Sequence, residues 1–102
     1  MKINLTDGIT VQQGSVVSKT IVKHDGGNIT LFAFDQGQSL SEHTAPYDAT
    51  FQCVSGSFLV TIESTEHTIN KDELIIFPAG KPHSVTALQP SHCLLVMIKN
   101  AK

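Results

Sequence analysis

Two histidines near the ends of one stretch are the residues of this chain best suited to chemistry. The stretch covers residues 37–83, with His43 close to its start and His83 at its end. An imidazole ring can transfer protons near neutral pH, and it can also bind a transition metal. If the fold brings the two rings together, they would form the polar centre of a functional site.

Strand-like runs separate these histidines and must position them. Apolar residues alternate with polar ones over residues 49–54, 58–63 and 73–77, and a second hairpin partner is expected at 66–69. Ser-Gly-Ser and Asn-Lys-Asp interrupt the runs. A period of two over short runs, broken by turn-forming residues, predicts antiparallel strands joined by tight turns.

The remainder of the chain predicts more short strands. Residues rich in β-branched and aromatic side chains occur at 15–23, 28–34, 84–88 and 92–99. Residues 1–14 are predicted to be a loose N-terminal segment with a short strand at 9–12. Repeated short strands separated by turn signals indicate an all-β sandwich or barrel, and the length suits a single domain over residues 1–102.

Residues 37–56 resemble the first motif of the cupin family. The usual motif contains a glycine, two histidines, a glutamate and a closing glycine. Gly37, His43 and Gly56 fall on its register. Ala45 replaces the second histidine, and Ala49 replaces the glutamate.

Residues 72–87 resemble the second cupin motif. Pro78, Gly80 and His83 fall on register, whereas Asp72 replaces a glycine and Ala87 replaces an asparagine. The spacings hold without insertion, and the resemblance extends over roughly residues 26–98. It implies a small single-domain cupin, folded as an antiparallel jelly-roll β-barrel.

The resemblance also implies a metal site, but an incomplete one. In a complete cupin site three nitrogens and a carboxylate converge in the barrel mouth, and such donors suit Fe, Mn, Ni, Cu or Zn. His43 and His83 remain from this set. His92, at the start of the last predicted strand, is a candidate third ligand if its side chain turns inward. Two neutral imidazoles without an anionic ligand predict weak binding of a divalent transition metal at most.

Strand alternation places His43 and positions 45 and 49 on one face, directed into the barrel. His43 and His83 are therefore candidate catalytic residues, and Tyr47 is a third candidate. Tyr47 lies in the proline turn between the two alanines, where its phenol is a candidate hydrogen-bond donor. The predicted ligand pocket is otherwise apolar and consists of Ala45, Ala49, Phe51, Cys53, Phe77 and Ala87.

Two classes of function follow from these residues, and a third, a regulatory or assembly role as a dimeric sensor, follows from strands that are apolar on both faces. The first is a cupin that binds a small molecule in the barrel mouth without tight metal binding, because two ligand positions are alanine. The second is an enzyme, either a metal-dependent dioxygenase or isomerase type that uses His43 and His83, or a metal-free enzyme in which they act as general acid and base. The identity of the ligand is open in both cases.

Composition excludes several other classes. The net charge is −2 with acids and bases interleaved, so there is no basic stripe for nucleic acid. No apolar run approaches the length of a transmembrane helix, and the N-terminus lacks the apolar core of a signal peptide. With two cysteines and no secretion signal, a cytoplasmic protein with reduced thiols is expected.

Several predicted strands carry apolar residues on both faces. This pattern occurs at residues 15–22, 30–34, 73–77 and 93–98. One face would fill the barrel, and the other must be covered by the N-terminal segment or by a second subunit. A homodimer is therefore predicted.

Overall fold

The computed structural model describes residues 1–99 of the 102-residue chain. Within these residues there are nine strands: β1 (Val16–His24), β2 (Gly27–Phe34), β3 (Ser39–His43), β4 (Asp48–Ser55), β5 (Ser57–Ile62), β6 (Thr65–Asn70), β7 (Leu74–Phe77), β8 (His83–Ala87) and β9 (Ser91–Ile98). No helix in this part of the chain is long and apolar enough to cross a membrane.

The strands form two antiparallel sheets. One has five strands in the order β1-β2-β9-β4-β7, and the other has four in the order β3-β8-β5-β6. The last strand, β9, lies between β2 and β4, so the larger sheet depends on pairing between distant parts of the chain. The prediction of an all-β antiparallel jelly-roll barrel is confirmed.

The observed strands differ from the predicted segments by about one residue at either end, because strand ends carry weaker sequence signals than strand centres. The exception is residues 9–12, which form no strand. Ile9 is only 7% exposed and packs with Leu31 and Ala33 on the outer face of the five-stranded sheet. The N-terminal segment is therefore irregular but not loose, because side-chain burial anchors it where strand pairing does not.

The inner faces of the two sheets enclose the main core. Phe34 and Phe51 each contact Phe58 edge to face, with ring centroids 5.2 and 5.0 Å apart. Aromatic rings favour this arrangement because the positive ring edge meets the negative ring face. Cys53 and Cys93, which are directly opposite each other on β4 and β9, complete the same densely packed region. We call this region, defined by Phe34, Cys53, Phe58 and Cys93, the closed end of the barrel.

Left-handed backbone at two turn positions supports the packing of the closed end. Gly56 has φ of 82°, and a Cβ atom there would clash with Ser91 Oγ, so a side chain is excluded on both grounds. Asp72 has φ of 70° at the position where the cupin motif usually has glycine. Its backbone N–H donates to the carbonyl of Cys53 at 2.8 Å, which links the turn before β7 to β4.

Candidate functional site

The structure brings His43 and His83 together at the open end of the barrel, opposite the closed end. They are directly opposite each other in the pairing of β3 with β8. Their ring centroids are 4.4 Å apart, and the rings meet edge to face at 67°. We call these two residues the histidine pair.

A bulge in β3 orients His43 towards the interior. The register of β3 with β8 shifts between Leu40 and His43. Residues at odd separation lie on opposite faces of a regular strand. The extra residue in the bulge reverses this, so that Leu40 and His43 both line the cavity.

Two loops at the barrel mouth are joined by hydrogen bonds, one to a backbone carbonyl and one to a side-chain carboxylate. The N–H of Gly80 donates to the carbonyl of Ala45 at 2.8 Å, and the N–H of Ala79 donates to Asp48 Oδ1 at 2.8 Å. These bonds connect the Pro-x-Gly loop that precedes His83 to the turn that carries Tyr47. The histidine pair and Tyr47 are therefore held in one frame.

His83 is the buried member of the pair, with 6% of its surface exposed. Its ring stacks on Phe77 with centroids 4.2 Å apart. Burial lowers the pKa of His83, and the nearby His43 lowers it further, although a hydrogen bond to the Lys81 carbonyl acts in the opposite direction. The lowered pKa favours a neutral His83 ring at neutral pH.

His43 is the exposed member and lies at the mouth of the cavity. Its Nδ1 is 2.9 Å from the carbonyl oxygen of Ser41, two residues earlier. His83 makes the equivalent contact, with Nδ1 3.0 Å from the carbonyl oxygen of Lys81. Both rings are thus oriented by their own strand ends.

The cavity behind the pair is small and is bounded by both sheets. Water-sized molecules can occupy about 40 Å³ of it, and the wider opening of about 470 Å³ includes solvent at the mouth. Besides the histidine pair and Tyr47, every lining side chain is apolar: Phe32, Leu40, Ala45, Ala49, Phe51, Phe77, Val85, Leu95 and Met97.

A cupin-type metal would need more donors than these residues provide. Ala45 and Ala49 contribute methyl groups, which have no lone pair. Among residues 1–99 no group of three or more His, Cys, Asp or Glu side chains could hold a metal ion. Zinc sites normally take at least three protein ligands, so the donor set does not fit a tightly held metal.

Tyr47 lines the cavity, as expected from its place in the proline turn. It is half-buried, and the Nζ atom of Lys99 lies 5.8 Å from the centre of its ring. At this distance a cation contributes a weak attraction to the ring face. Tyr47 is therefore placed to supply one hydroxyl group to a ligand.

Cys53 and Ala87 were predicted to line the pocket, but the structure places them in the core outside the cavity lining. The Cys53 thiol donates to the carbonyls of Ser55 and Gly56, both at 3.4 Å. Burial, with the nearby carboxylates of Asp72 and Glu73, raises the pKa of Cys53 to about 11. A thiol in this environment is inert rather than nucleophilic.

His92, the candidate third ligand, does not reach the cavity. It belongs to the outer face of the five-stranded sheet, the same side as Leu94 and Ile9. Its Nε2–H donates to the carbonyl of Ile9 at 3.0 Å, and its Nδ1 accepts from Ser55 Oγ at 2.8 Å. Both ring nitrogens are therefore used in holding the N-terminal segment against the sheet.

Sequence reasoning missed five lining residues: Phe32, Leu40, Val85, Leu95 and Met97. The strand β9 is apolar on both faces, so alternation could not assign Leu95 and Met97 to a side. Leu40 was hidden by the bulge in β3. The cross-strand partners of predicted pocket residues would have identified two of the five, since Phe51 pairs with Leu95 and Ala49 pairs with Met97.

Comparison with known proteins supports this architecture. The cupin domain family matches residues 30–99. A conserved protein of unknown function from Streptococcus pyogenes is 31% identical, with 98% of this chain and 88% of that chain covered at a TM-score of 0.93. A cupin 2 conserved barrel domain protein from Leptotrichia buccalis is 30% identical, with 95% of this chain and 47% of that chain covered at a TM-score of 0.91.

A cupin superfamily protein from Desulfitobacterium hafniense shows the same fold at 21% identity, with 92% of this chain and 86% of that chain covered at a TM-score of 0.89. No curated protein matches the sequence at a significant level. The family match covers well over half of the chain, and it includes both segments that form the histidine pair. The chain therefore belongs to the cupin family.

Proposed function

We propose that this protein is a cupin that binds a small molecule in the barrel mouth and holds little or no metal tightly. One observation carries the proposal. The histidine pair meets at the mouth of an apolar cavity in which Ala45 and Ala49 take the positions of two usual metal ligands. A ligand group has room where a metal and its donors would otherwise lie.

The character of the cavity supports a binding role. Small-molecule sites are concave, mostly apolar, and carry a few convergent polar groups that fix orientation. Here the apolar walls come from both sheets, and the polar groups are His43, His83 and Tyr47. Nε2 of each ring has no hydrogen-bond partner among the described residues, so a ligand group that bonds to it gains affinity.

The test is to purify the protein without a tag and to measure metal by elemental analysis and bound molecules by native mass spectrometry. We expect substoichiometric metal, and any copurified ligand should leave when the cavity is blocked by Ala49→Phe. A stoichiometric transition metal that resists chelator treatment would contradict the proposal. An Ala79→Ser variant, changed outside the cavity lining, is the control.

A metal-free acid–base enzyme is the second candidate. The observation that favours it is the backbone contact at Nδ1 of each ring, which leaves Nε2 of both His43 and His83 free to exchange protons with a substrate. A His43→Ala, His83→Ala double variant should then lose turnover, whereas the exposed His67→Ala should not. Unchanged turnover in the double variant would exclude this role.

We also propose that the protein forms a homodimer through the outer face of the five-stranded sheet. Leu74 and Ile76 on β7 are 52% and 57% exposed, and Val22 and Ile98 are 41% and 60% exposed. Exposed apolar residues grouped on one sheet face favour association. Light scattering at micromolar concentration should give a dimer mass, which Ile76→Lys lowers and Leu88→Lys, outside that sheet, does not. A monomeric mass for the unmodified protein would contradict the dimer.

We further propose a cytoplasmic location. The support is that Cys53 and Cys93, although directly opposite each other on neighbouring strands, are both free thiols. Reduced cysteines persist in the cytoplasm. Cell fractionation with a thiol-blocking reagent tests this, and recovery in a secreted fraction would contradict it.

A further inference from the structure

The backbone determines which nitrogen of each paired histidine carries the hydrogen. His43 Nδ1 contacts the carbonyl oxygen of Ser41 at 2.9 Å, and His83 Nδ1 contacts the carbonyl oxygen of Lys81 at 3.0 Å. A carbonyl oxygen can only accept, so each Nδ1 must donate. In the neutral ring the hydrogen is then on Nδ1, and Nε2 presents a lone pair.

These two Nε2 atoms have no hydrogen-bond partner among the described residues. The hydrogen bonds and aromatic contacts of the two rings are the Nδ1 bonds, the edge-to-face contact between the rings, and the stacking of His83 on Phe77. The cavity they border is lined by no lysine or arginine, and Tyr47 offers its only other polar side-chain group within residues 1–99. The lining residues therefore present two neighbouring acceptors and no lysine or arginine, while Lys99 lies over the Tyr47 ring with its Nζ atom 5.8 Å from the ring centre.

This arrangement discriminates between ligand chemistries. In these tautomers a carboxylate or phosphate would bring its lone pairs against those of Nε2, and among the lining residues only the Tyr47 hydroxyl could donate to it. A hydroxyl group donates directly to Nε2. Phe32, Phe51 and Phe77 in the walls favour an aromatic body over a flexible polar one.

We propose that the cavity selects neutral aromatic molecules that carry one or two hydroxyl groups, and that these hydroxyls donate to Nε2 of His43 and His83 without an intervening metal. This inference rests on the proposed small-molecule function and names its ligand class. A single phenol satisfies one acceptor. Two adjacent hydroxyls satisfy both acceptors.

The test is calorimetric titration of the untagged, chelator-treated protein with matched probes. 4-Methylphenol should bind about tenfold more tightly than 4-methylanisole, which has nearly the same shape but no hydroxyl hydrogen, since one hydrogen bond is worth about this much. 4-Methylcatechol should bind at least as tightly as 4-methylphenol. 4-Methylbenzoate should bind more weakly than either.

Variants assign the effect to the histidines. In a His43→Phe, His83→Phe double variant the preference for 4-methylphenol over 4-methylanisole should disappear, while His67→Phe on the exposed face of β6 should retain it. Tyr47→Phe should also retain it. Loss of the preference in Tyr47→Phe alone would reassign the contact to the phenol of Tyr47 and overturn the inference.

The remaining outcomes separate this inference from the proposed function. Equal affinity for 4-methylphenol and 4-methylanisole, tighter binding of 4-methylbenzoate, or a requirement for added Zn²⁺ would overturn the hydroxyl selection and leave a binding cavity in place. Failure of all four probes to bind, 4-methylanisole included, would count against the cavity as a small-molecule site and so against both proposals.

Discussion

The two ends of the barrel interior are built from the same strands but are filled differently. At the closed end Phe34, Phe58 and Cys93 are fully buried. At the open end the exposed His43 and the buried His83 border a cavity walled partly by two alanines. Side chains pack against one another across the interior at the closed end, whereas the methyl groups of Ala45 and Ala49 leave space at the open end. The comparison shows how one set of strands can pack densely at one end and enclose a cavity at the other.

Individual strands make the division explicit. β4 carries Ala49 to the cavity and Cys53 to the closed end, and β8 begins with His83 at the mouth and ends with Ala87 in the core. The two ends can therefore be altered separately by substitutions a few residues apart. Each of the following experiments tests one side of this difference.

The largest expected effect is on stability at the closed end. Phe58→Ala removes a ring that contacts both Phe34 and Phe51, and such a substitution typically costs about 3–5 kcal/mol because a cavity remains. His43→Ala at the open end should cost about 1 kcal/mol or less. Urea unfolding of both variants measures this. Similar losses in the two would mean that the two ends do not differ in their share of stability.

The next effect concerns metal affinity at the open end. Ala45→His with Ala49→Glu restores the two missing donors of the cupin motif, so Ni²⁺ affinity should rise by about two orders of magnitude. The double variant with glutamine at both positions is matched in size and should gain little. Calorimetric titration provides the comparison. Equally tight binding by the unmodified protein would show that alanine at these positions does not weaken the site.

A smaller difference is expected between the stability costs of replacing two glycines that have nearly equal φ. Gly80 at the open end has φ of 77°, and a Cβ atom there would meet no atom within 4 Å beyond its chain neighbours, so Gly80→Ala should cost about 1 kcal/mol from backbone strain alone. Gly56→Ala adds a steric clash with Ser91 Oγ and should cost about 3 kcal/mol. Thermal and urea unfolding measure both. Equal costs would mean that Ser91 moves aside freely.

The smallest effect is a pH dependence from the closed end. The pKa of Cys53 is raised from 9.0 to about 11, and burial also raises the pKa of Cys93. Each thiol has a higher pKa in the folded state than in the unfolded state, so it stabilises the fold at pH values below its unfolded-state pKa. For Cys53 this stabilisation is lost as the pH rises from about 9 towards 11. Each thiol contributes a loss of up to about 1.4 kcal/mol per pH unit.

Urea midpoints between pH 7 and pH 10 would measure this loss. A Cys53→Ala, Cys93→Ala variant should show a shallower decline, because the remaining lysine and tyrosine titrations are common to both proteins. If the two proteins declined in parallel, the thiols would not be the titrating groups.

Much of the fold was predictable because it depends on local pattern. Alternation and turn residues located the strands, and the resemblance of residues 37–56 and 72–87 to the two cupin motifs implied the jelly roll. The same resemblance implied that His43 and His83 are neighbours. The face of β9 on which His92 lies was not predictable, because β9 is apolar on both faces and alternation gives no preferred side.

The sequence by itself determined the alternating strands, the two histidines and the two alanines that replace metal ligands, since each is a matter of residue type and spacing. The tertiary structure decided the remaining cavity-lining side chains and where the cavity ends. The bulge before His43 changes the phase of β3, and the pairing of β9 between β2 and β4 selects Leu95 and Met97 for the interior. Such choices depend on contacts between distant segments, which no local pattern records.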